Sequence, residues 1–346
     1  MFSIFNTLTT KKAEFIPIDK EDVRIYFCGP TVYNELHIGN YRAALVADLL
    51  SKTLKGIYPK VTFVSNITDI DDKIITEASK QSCSINELTQ KYYKKFMNDA
   101  DILGISKPDL QPFATDYVDE MIDYIQTLLK NKSAYEISGN VLFEVNKFTN
   151  YGCLSGRCIE EQDSGARVKI EDYKKNPNDF TLWKPSLANE PGWESPWGYG
   201  RPGWHLECSV MSESVLGVPF DIHGGGNDLK FPHHDNEIAQ TCGFHNSSDP
   251  TCFAKYWVHN GFLNLANEKM SKSLGNVVYI DDLLKEFKGN EIRLALLSTH
   301  YRQPIPWSLN LLKQAASVAR KISRFTSSYT TKSKFFPGSN IGKAIL

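Results

Sequence analysis

Residues 23–54 read VRIYFCGPTVYNELHIGNYRAALVADLLSKTL, and the fold turns on how they are read. Val23 to Phe27 is a β-rich run, Gly29, Pro30 and Gly39 punctuate a loop, and Arg42 to Leu54 carries apolar residues at helical spacing. The same order then recurs. Val61 to Ile67 (VTFVSNI) is a second strand candidate, and TDIDDKIITEASK a second helix, with Thr68 or Asp69 as its cap and an Asp-rich first turn that suits the helix dipole. Two β-α units in succession predict an α/β fold with a doubly wound parallel sheet.

From Asp109 to Pro191 the texture changes. Tyr117 to Leu129 is amphipathic, AYEISGNVLFEV has the pattern of a hairpin, and a polar segment follows, which together read as an insertion between two halves of the sheet. Phe220 to His223 and Tyr256 to His259 resume the strands, with a helix beginning near His233 between them. Beyond Ser273 the pattern is helical, with Leu294 to Leu297 and Leu311 to Ile322 as candidates. The expected segments are therefore 1–108, 109–191, 192–276 and 277–346.

The 346 residues, 41% apolar, 12% aromatic and 23% charged, exclude a disordered or collagenous chain. No apolar run approaches the roughly 18 residues of a membrane span, and the N-terminus lacks the basic, apolar, small order of a signal peptide, so a cytoplasmic protein without membrane contact is expected. Seven cysteines, odd in number and without a Cys-x-x-Cys pair, argue for reduced thiols or scattered metal ligands. The net charge of -1 hides an asymmetry: nine basic and no acidic residues follow Glu291, leaving 30 basic against 40 acidic groups in residues 1–291. A basic end on an acidic body suggests contact with a polyanion such as nucleic acid.

Four constellations carry chemistry. His37-Ile-Gly39-Asn40 lies where the loop enters the helix, and a glycine, unpaired N–H groups and two side-chain donors suit a phosphate. Lys269-Met-Ser-Lys272-Ser-Leu-Gly275-Asn276 has the composition of a loop that closes on phosphates, its ammonium groups acting as point charges. In Phe220-Asp-Ile-His-Gly-Gly225-Gly-Asn-Asp228 a glycine turn ends a strand and sets a carboxylate where ribose hydroxyls can be held. The fourth is metallic: His233 and Glu237 share a helix face, while Cys208 and Cys28 belong to segments that converge on the same crevice. Two thiolates, an imidazole and a carboxylate suit zinc, with His234 or His223 able to substitute for His233 by spacing alone.

HIGN at 37–40, KMSKS at 269–273 and a nucleotide-type sheet between them resemble the class I aminoacyl-tRNA synthetases, whose signatures are HIGH and KMSKS. The blocks YFCGPTVYNELHIGN, NITDIDDKII, GRPGWHLECS, FDIHGGGNDLKFPHHDNEIAQ and EKMSKSLGN look like the cysteinyl-tRNA synthetase family, over about Phe5 to Trp307. The resemblance implies a Rossmann-type catalytic sheet, a connective insertion and a C-terminal helical region. It assigns one zinc to Cys28, Cys208, His233 and Glu237, and places ATP on His37, Gly39, Asn40, Gly225, Asp228 and Lys272. Catalytic work falls to His37, Asn40, Lys269 and Lys272, and the thiol pocket to Trp204 and Thr68. Asn40 replaces the second histidine of the motif, which implies weakened activation. About 70 residues follow the KMSKS loop, so an anticodon-binding module is expected to be absent or incomplete.

The implied reaction is ATP-dependent formation of cysteinyl-adenylate and transfer to the 3′ end of tRNA(Cys), with Mg²⁺ on the nucleotide and the chain acting as a monomer. The substrate carboxylate is ionised at neutral pH, so positioning and charge stabilisation matter more than a base. Two other readings compete: a cysteine ligase of mycothiol biosynthesis acting on an amino sugar, favoured by the short C-terminus, and an inactive RNA-binding remnant.

Overall fold

The structure, a computed structural model, describes residues 2–157, 173–265, 268–269 and 277–330, with 268–269 and 328–330 described by backbone alone. An antiparallel ribbon of β1 (Ser3–Asn6) and β2 (Lys11–Glu14) precedes the first β-α units. These are β3 (Val23–Phe27), α1 (Ile38–Lys55), β4 (Val61–Ser65), α2 (Asp72–Gln81) and α3 (Ile85–Ile102). Helix α4 (Val118–Lys130) leads to four strands, β5 (Ala134–Ile137), β6 (Asn140–Phe143), β7 (Phe180–Pro185) and β8 (Gly200–Pro202), all antiparallel. Then come α5 (Trp204–Leu216), β9 (Phe220–Gly226), α6 (Asp235–Phe244) and β10 (Ala254–Asn260). A small sheet joins β11 (Leu263–Leu265), β12 (Glu268–Lys269) and β13 (Ile305–Trp307), and α7 (Ile280–Leu284), α8 (Gly289–Leu296) and α9 (Leu309–Thr330) complete the described chain.

The central sheet has the order β10-β9-β3-β4 and every pair is parallel, as the two β-α units predict. Ile25 of β3 lies opposite Phe63 on one side and Ile222 on the other. Strand β3 is buried on both faces, which is why VRIYF reads as an almost continuous apolar run. From β3 the chain crosses to β4 on one flank, while β9 occupies the other flank and continues to β10. The crossovers part between β3 and β9, and a crevice opens over their C-terminal ends. Cys28 follows β3 directly, and Gly224, Gly225 and Gly226 end β9.

Two local expectations are corrected. Neither Thr68 nor Asp69 caps the second helix; Asp71 does, accepting the Lys73 N–H at 2.7 Å. Thr68 is instead spent on Glu207 (2.8 Å), and the Asp69 carboxylate on the N–H and hydroxyl of Thr115 (3.0 and 2.6 Å). The helix placed near His233 becomes regular only at Asp235, because Lys230–His234 form a wider π-type turn with Phe231 in an extended conformation. Among the described residues no helix is long and apolar enough to cross a membrane.

Candidate functional site

A cleft of about 530 Å³ opens over the crevice, and its walls include Cys28, His37, Asn40, Trp204, Gly226 and Asp228. The corner at α1 is built by mutual capping. His37 Nδ1 accepts the Gly39 N–H at 3.1 Å, and the Asn40 side-chain oxygen accepts the His37 N–H at 3.1 Å. With Nδ1 an acceptor, the neutral His37 ring carries its proton on Nε2, and Asn40 keeps its amide N–H₂ as donor. Ile38 N–H donates to the Val278 carbonyl at 3.0 Å, so the segment just after the KMSKS block is fastened to this corner. On the other side of that block, Lys269 pairs with Asn264 in β11–β12. Lys272, Gly275 and Asn276 lie outside the described residues, as does the side chain of Lys269.

At the floor of the crevice the cysteines converge. The Cys28 and Cys208 sulfurs are 3.5 Å apart, Cys28 Sγ is 3.6 Å from Glu237 Oε1, and His233 Nε2 is 2.8 Å from the same oxygen. The donor atoms of these four residues lie within 4.8 Å of one another. A second set of equal compactness, Cys28, His223, His234 and Glu237, shares two of them, so the geometry reproduces the ambiguity that spacing leaves between the histidines. All three histidines are buried, and the two sets differ in their neighbours: His233 stacks on Trp204, which lines the cleft, with ring centroids 4.4 Å apart, whereas His223 stacks on Trp257 at 4.6 Å.

Electrostatics also mark this spot. Burial, then the neighbouring Cys208 and Glu237, push the Cys28 thiol up. Burial acts on Cys208 too, but the hydrogen bond from Cys28 and the charge of His233 outweigh it and bring it to about 6. For His233 burial opposes the charge, yet Glu237 and Cys208 carry it to about 10. Two thiols and a carboxylate brought together in a largely buried spot form a site that a cation would relieve. Sulfur, nitrogen and oxygen donors in this number fit zinc.

The remaining expected residues fall in two groups. Asp228 reaches the cleft, while Gly225 lies one residue short of it, and a Cβ there would stand 2.9 Å from Leu229 and 3.2 Å from the His234 ring. Thr68 is buried and not among the lining residues; its hydroxyl donates to Glu207 and accepts from Asn66 at 3.3 Å. Asn66 in turn accepts the Gly29 N–H at 2.8 Å, and Gly29 approaches so closely that a Cβ would fall 1.6 Å from the Asn66 carbonyl oxygen.

Sequence reasoning missed a relay of histidines behind the cleft. His205 Nδ1 meets His233 Nδ1 at 2.9 Å, His223 Nε2 meets Glu237 Oε2 at 2.5 Å, and His234 connects through His259 to Thr7 at 2.8 and 2.9 Å. Burial, with the charge of His233 for one and of His223 for the other, holds His205 and His259 near 3, hence neutral. The available signal was three of the eight histidines within twelve residues, His223, His233 and His234.

A parallel sheet with a cleft at the switch point and capped HIGN corner is the catalytic-domain architecture of class I tRNA synthetases. Methionyl-tRNA synthetase of Mycobacterium tuberculosis, solved with methionyl-adenylate, matches it with a TM-score of 0.65 at 14% identity, over 85% of this chain and 68% of that one. A LeuRS of Agrobacterium radiobacter K84 matches with 0.64 at 11% identity, over 91% of this chain and 73% of that one. These likenesses concern the fold. The model of the family described as tRNA synthetases class I (C) catalytic domain matches residues 14–317. Cysteine–tRNA ligase of Rhodospirillum rubrum is 52% identical over 90% of this chain and 67% of its own length, and that of Pelagibacter ubique 49% identical over 91% and 70%. The chain belongs to this cysteine–tRNA ligase family, and spans about two thirds of the length of these curated relatives.

Proposed function

We propose that this chain is a cysteine–tRNA ligase: it joins L-cysteine and ATP to cysteinyl-adenylate and transfers the cysteinyl group to the 3′ end of tRNA(Cys). The observation that carries the reading is the meeting of Cys208, His233 and Glu237 directly behind Cys28, which lines the same cleft as the HIGN corner. These four side chains would hold one zinc per subunit. Bound there, zinc binds thiolate in preference to a hydroxyl, the distinction between cysteine and serine that shape alone makes only by about 1–3 kcal/mol.

The chain's own groups do the rest. Trp204 walls the thiol pocket, and Thr68, behind it, orders Glu207 and Asn66 beneath the metal ligands. His37 and Asn40 offer N–H donors to the phosphates at the start of α1, and Gly39 lets them approach. Asp228 holds the ribose, with Gly225 giving His234 room to pack. Lys269 and Lys272 stabilise charge that grows on the departing pyrophosphate, with Mg²⁺ on the nucleotide. The cysteine carboxylate attacks the α-phosphorus as it stands, needing no base.

Residues 109–191 form the connective insertion, and 277–346 the basic region that meets the tRNA stem. The work takes place in the cytoplasm, and the chain acts as a monomer. Curated relatives at about half identity are named for tRNA charging, which supports tRNA over an amino sugar as acceptor and an active enzyme over a remnant. Charging of total tRNA with labelled cysteine tests this: incorporation that a chelator abolishes is expected, and amide formation with the amino sugar in place of tRNA charging would overturn it.

A further inference from the structure

Cys242 and Cys252 stand apart from the cleft and have no part in the chemistry above. Cys242 lies near the end of α6 and is 1% exposed. Cys252 closes the short turn Pro250–Cys252 that leads into β10, and is partly exposed. Both are free thiols, and their sulfurs are 3.4 Å apart. The loop between them is fixed by other bonds. Ser247 N–H donates to the Cys242 carbonyl at 2.9 Å, and the Asp249 carboxylate accepts the N–H and hydroxyl of Thr251 at 2.9 and 2.7 Å.

The two thiols are unequal. The hydrogen bond between them pulls Cys252 below its ordinary value and, with burial, pushes Cys242 up. Cys252, the more exposed residue of the two, is thus the more readily ionised one, and a buried thiol waits beside it, the arrangement in which an attacking cysteine has a resolving partner.

We infer that Cys242 and Cys252 form a thiol-oxidation site, which closes to an intramolecular disulfide when the protein meets a low-molecular-weight disulfide. Cys252, its proton given to solvent, attacks one sulfur of the reagent RSSR and expels RS⁻. Cys242 then attacks the Cys252 sulfur of the mixed disulfide, loses its own proton and expels the second RS⁻; the two leaving thiolates take up two protons. Two protein thiols are oxidised and one RSSR is reduced to two RSH. The sulfurs need to close only from 3.4 Å to roughly 2 Å. The bond staples the end of α6, the helix that carries Glu237, to the start of β10.

The test treats the zinc-loaded full chain with oxidised glutathione, quenches with acid, alkylates under denaturing conditions and maps the peptides by mass spectrometry. Expected is a Cys242–Cys252 cross-linked pair, lighter by two hydrogens and lost on treatment with dithiothreitol. In Cys242→Ser the reaction should stop at a glutathione adduct on Cys252. Recovery of both cysteines as alkylated thiols under conditions that modify Cys83, a link to Cys153 instead, or an unmodified Cys252 in the variant would each overturn the inference.

Discussion

The sulfurs of Cys28 and Cys208, 180 residues apart in the chain, stand 3.5 Å from each other where the two halves of the parallel sheet meet. One follows β3 and the other lies on α5, before β9, so their meeting depends on the β3–β9 pairing and on nothing local. Around them Glu237 and His233 complete a donor set that has exchanged water for mutual contact. The chemistry proposed for the cleft rests on this convergence.

Arg42 holds the cleft's frame together. Its guanidinium is 1% exposed and donates to the carbonyls of Gly261 (2.8 Å), Phe262 (2.7 Å) and Gln303 (2.7 Å), tying α1 to the end of β10 and to the approach of β13. Burial lowers it only to about 10, so it stays charged at neutral pH. Without it Gly261 keeps the Asn260 amide and Phe262 the Ile305 N–H, but the Gln303 carbonyl loses its donor and the charge-assisted tie is gone, so Arg42→Met should cost about 1–3 kcal/mol, read as a lower urea midpoint. An unchanged midpoint would refute the role.

Asp72 joins α2 to the antiparallel sheet through Lys184 (2.5 Å) and Arg201 (3.0 Å). Burial pushes its carboxyl up, but the two cations together outweigh it and hold the group below its usual value. The folded state therefore binds this proton less readily than the unfolded one. The stabilisation is present above about pH 4 and is lost as pH falls through the folded value. With a side chain 60% exposed, Asp72→Asn should cost only about 0.5–1 kcal/mol at pH 7. Melting temperatures of the two proteins should draw together as pH falls below about 4; a gap independent of pH would contradict this.

Lys272 is proposed to meet charge that appears only as pyrophosphate departs. Such a contact contributes to the transition state more than to the bound substrates, so Lys272→Ala should lower kcat by about 10²-fold or more with little change in KM for cysteine. Steady-state pyrophosphate exchange separates the two, and a rise in KM alone would remove the lysine from the chemical step.

Asn40 has a structural duty besides the proposed catalytic one, because its carboxamide oxygen caps the His37 N–H. Asn40→Ala should lose about 1 kcal/mol of stability together with exchange activity. Asn40→His restores the usual motif and should raise the exchange rate if the missing imidazole limits activation. Equal rates for the natural chain and the Asn40→His variant would show that the amide serves as well.

Much of this was legible in the sequence where local pattern and tertiary role agree. VRIYF is apolar on both faces because β3 is buried on both, and the run at 42–54 is periodic because α1 presents one side to the sheet. The HIGN corner was readable as well, since its caps join residues two and three apart. What failed depended on distant partners. Thr68 looks like a cap, but Glu207, 139 residues away, claims its hydroxyl. The choice between His233 and His234 could not be made from spacing, because a π-type turn and a glycine at 225 decide which ring stacks on Trp204 and which packs against β9. Strand β7 lies within what reads as a polar segment, since FTLWKP shows its pattern only against β6 and β8.

A soft metal held by the two thiols is proposed to make this cleft specific for cysteine. Zinc content and cysteine-dependent ATP–pyrophosphate exchange, measured side by side on the natural chain and on Cys208→Ser, test it most directly. The natural chain should bind about one zinc per subunit and exchange pyrophosphate with cysteine but not with serine, and the variant should lose both the metal and at least about 10²-fold of the rate. Undiminished exchange in a Cys208→Ser protein that no longer holds zinc would contradict the account.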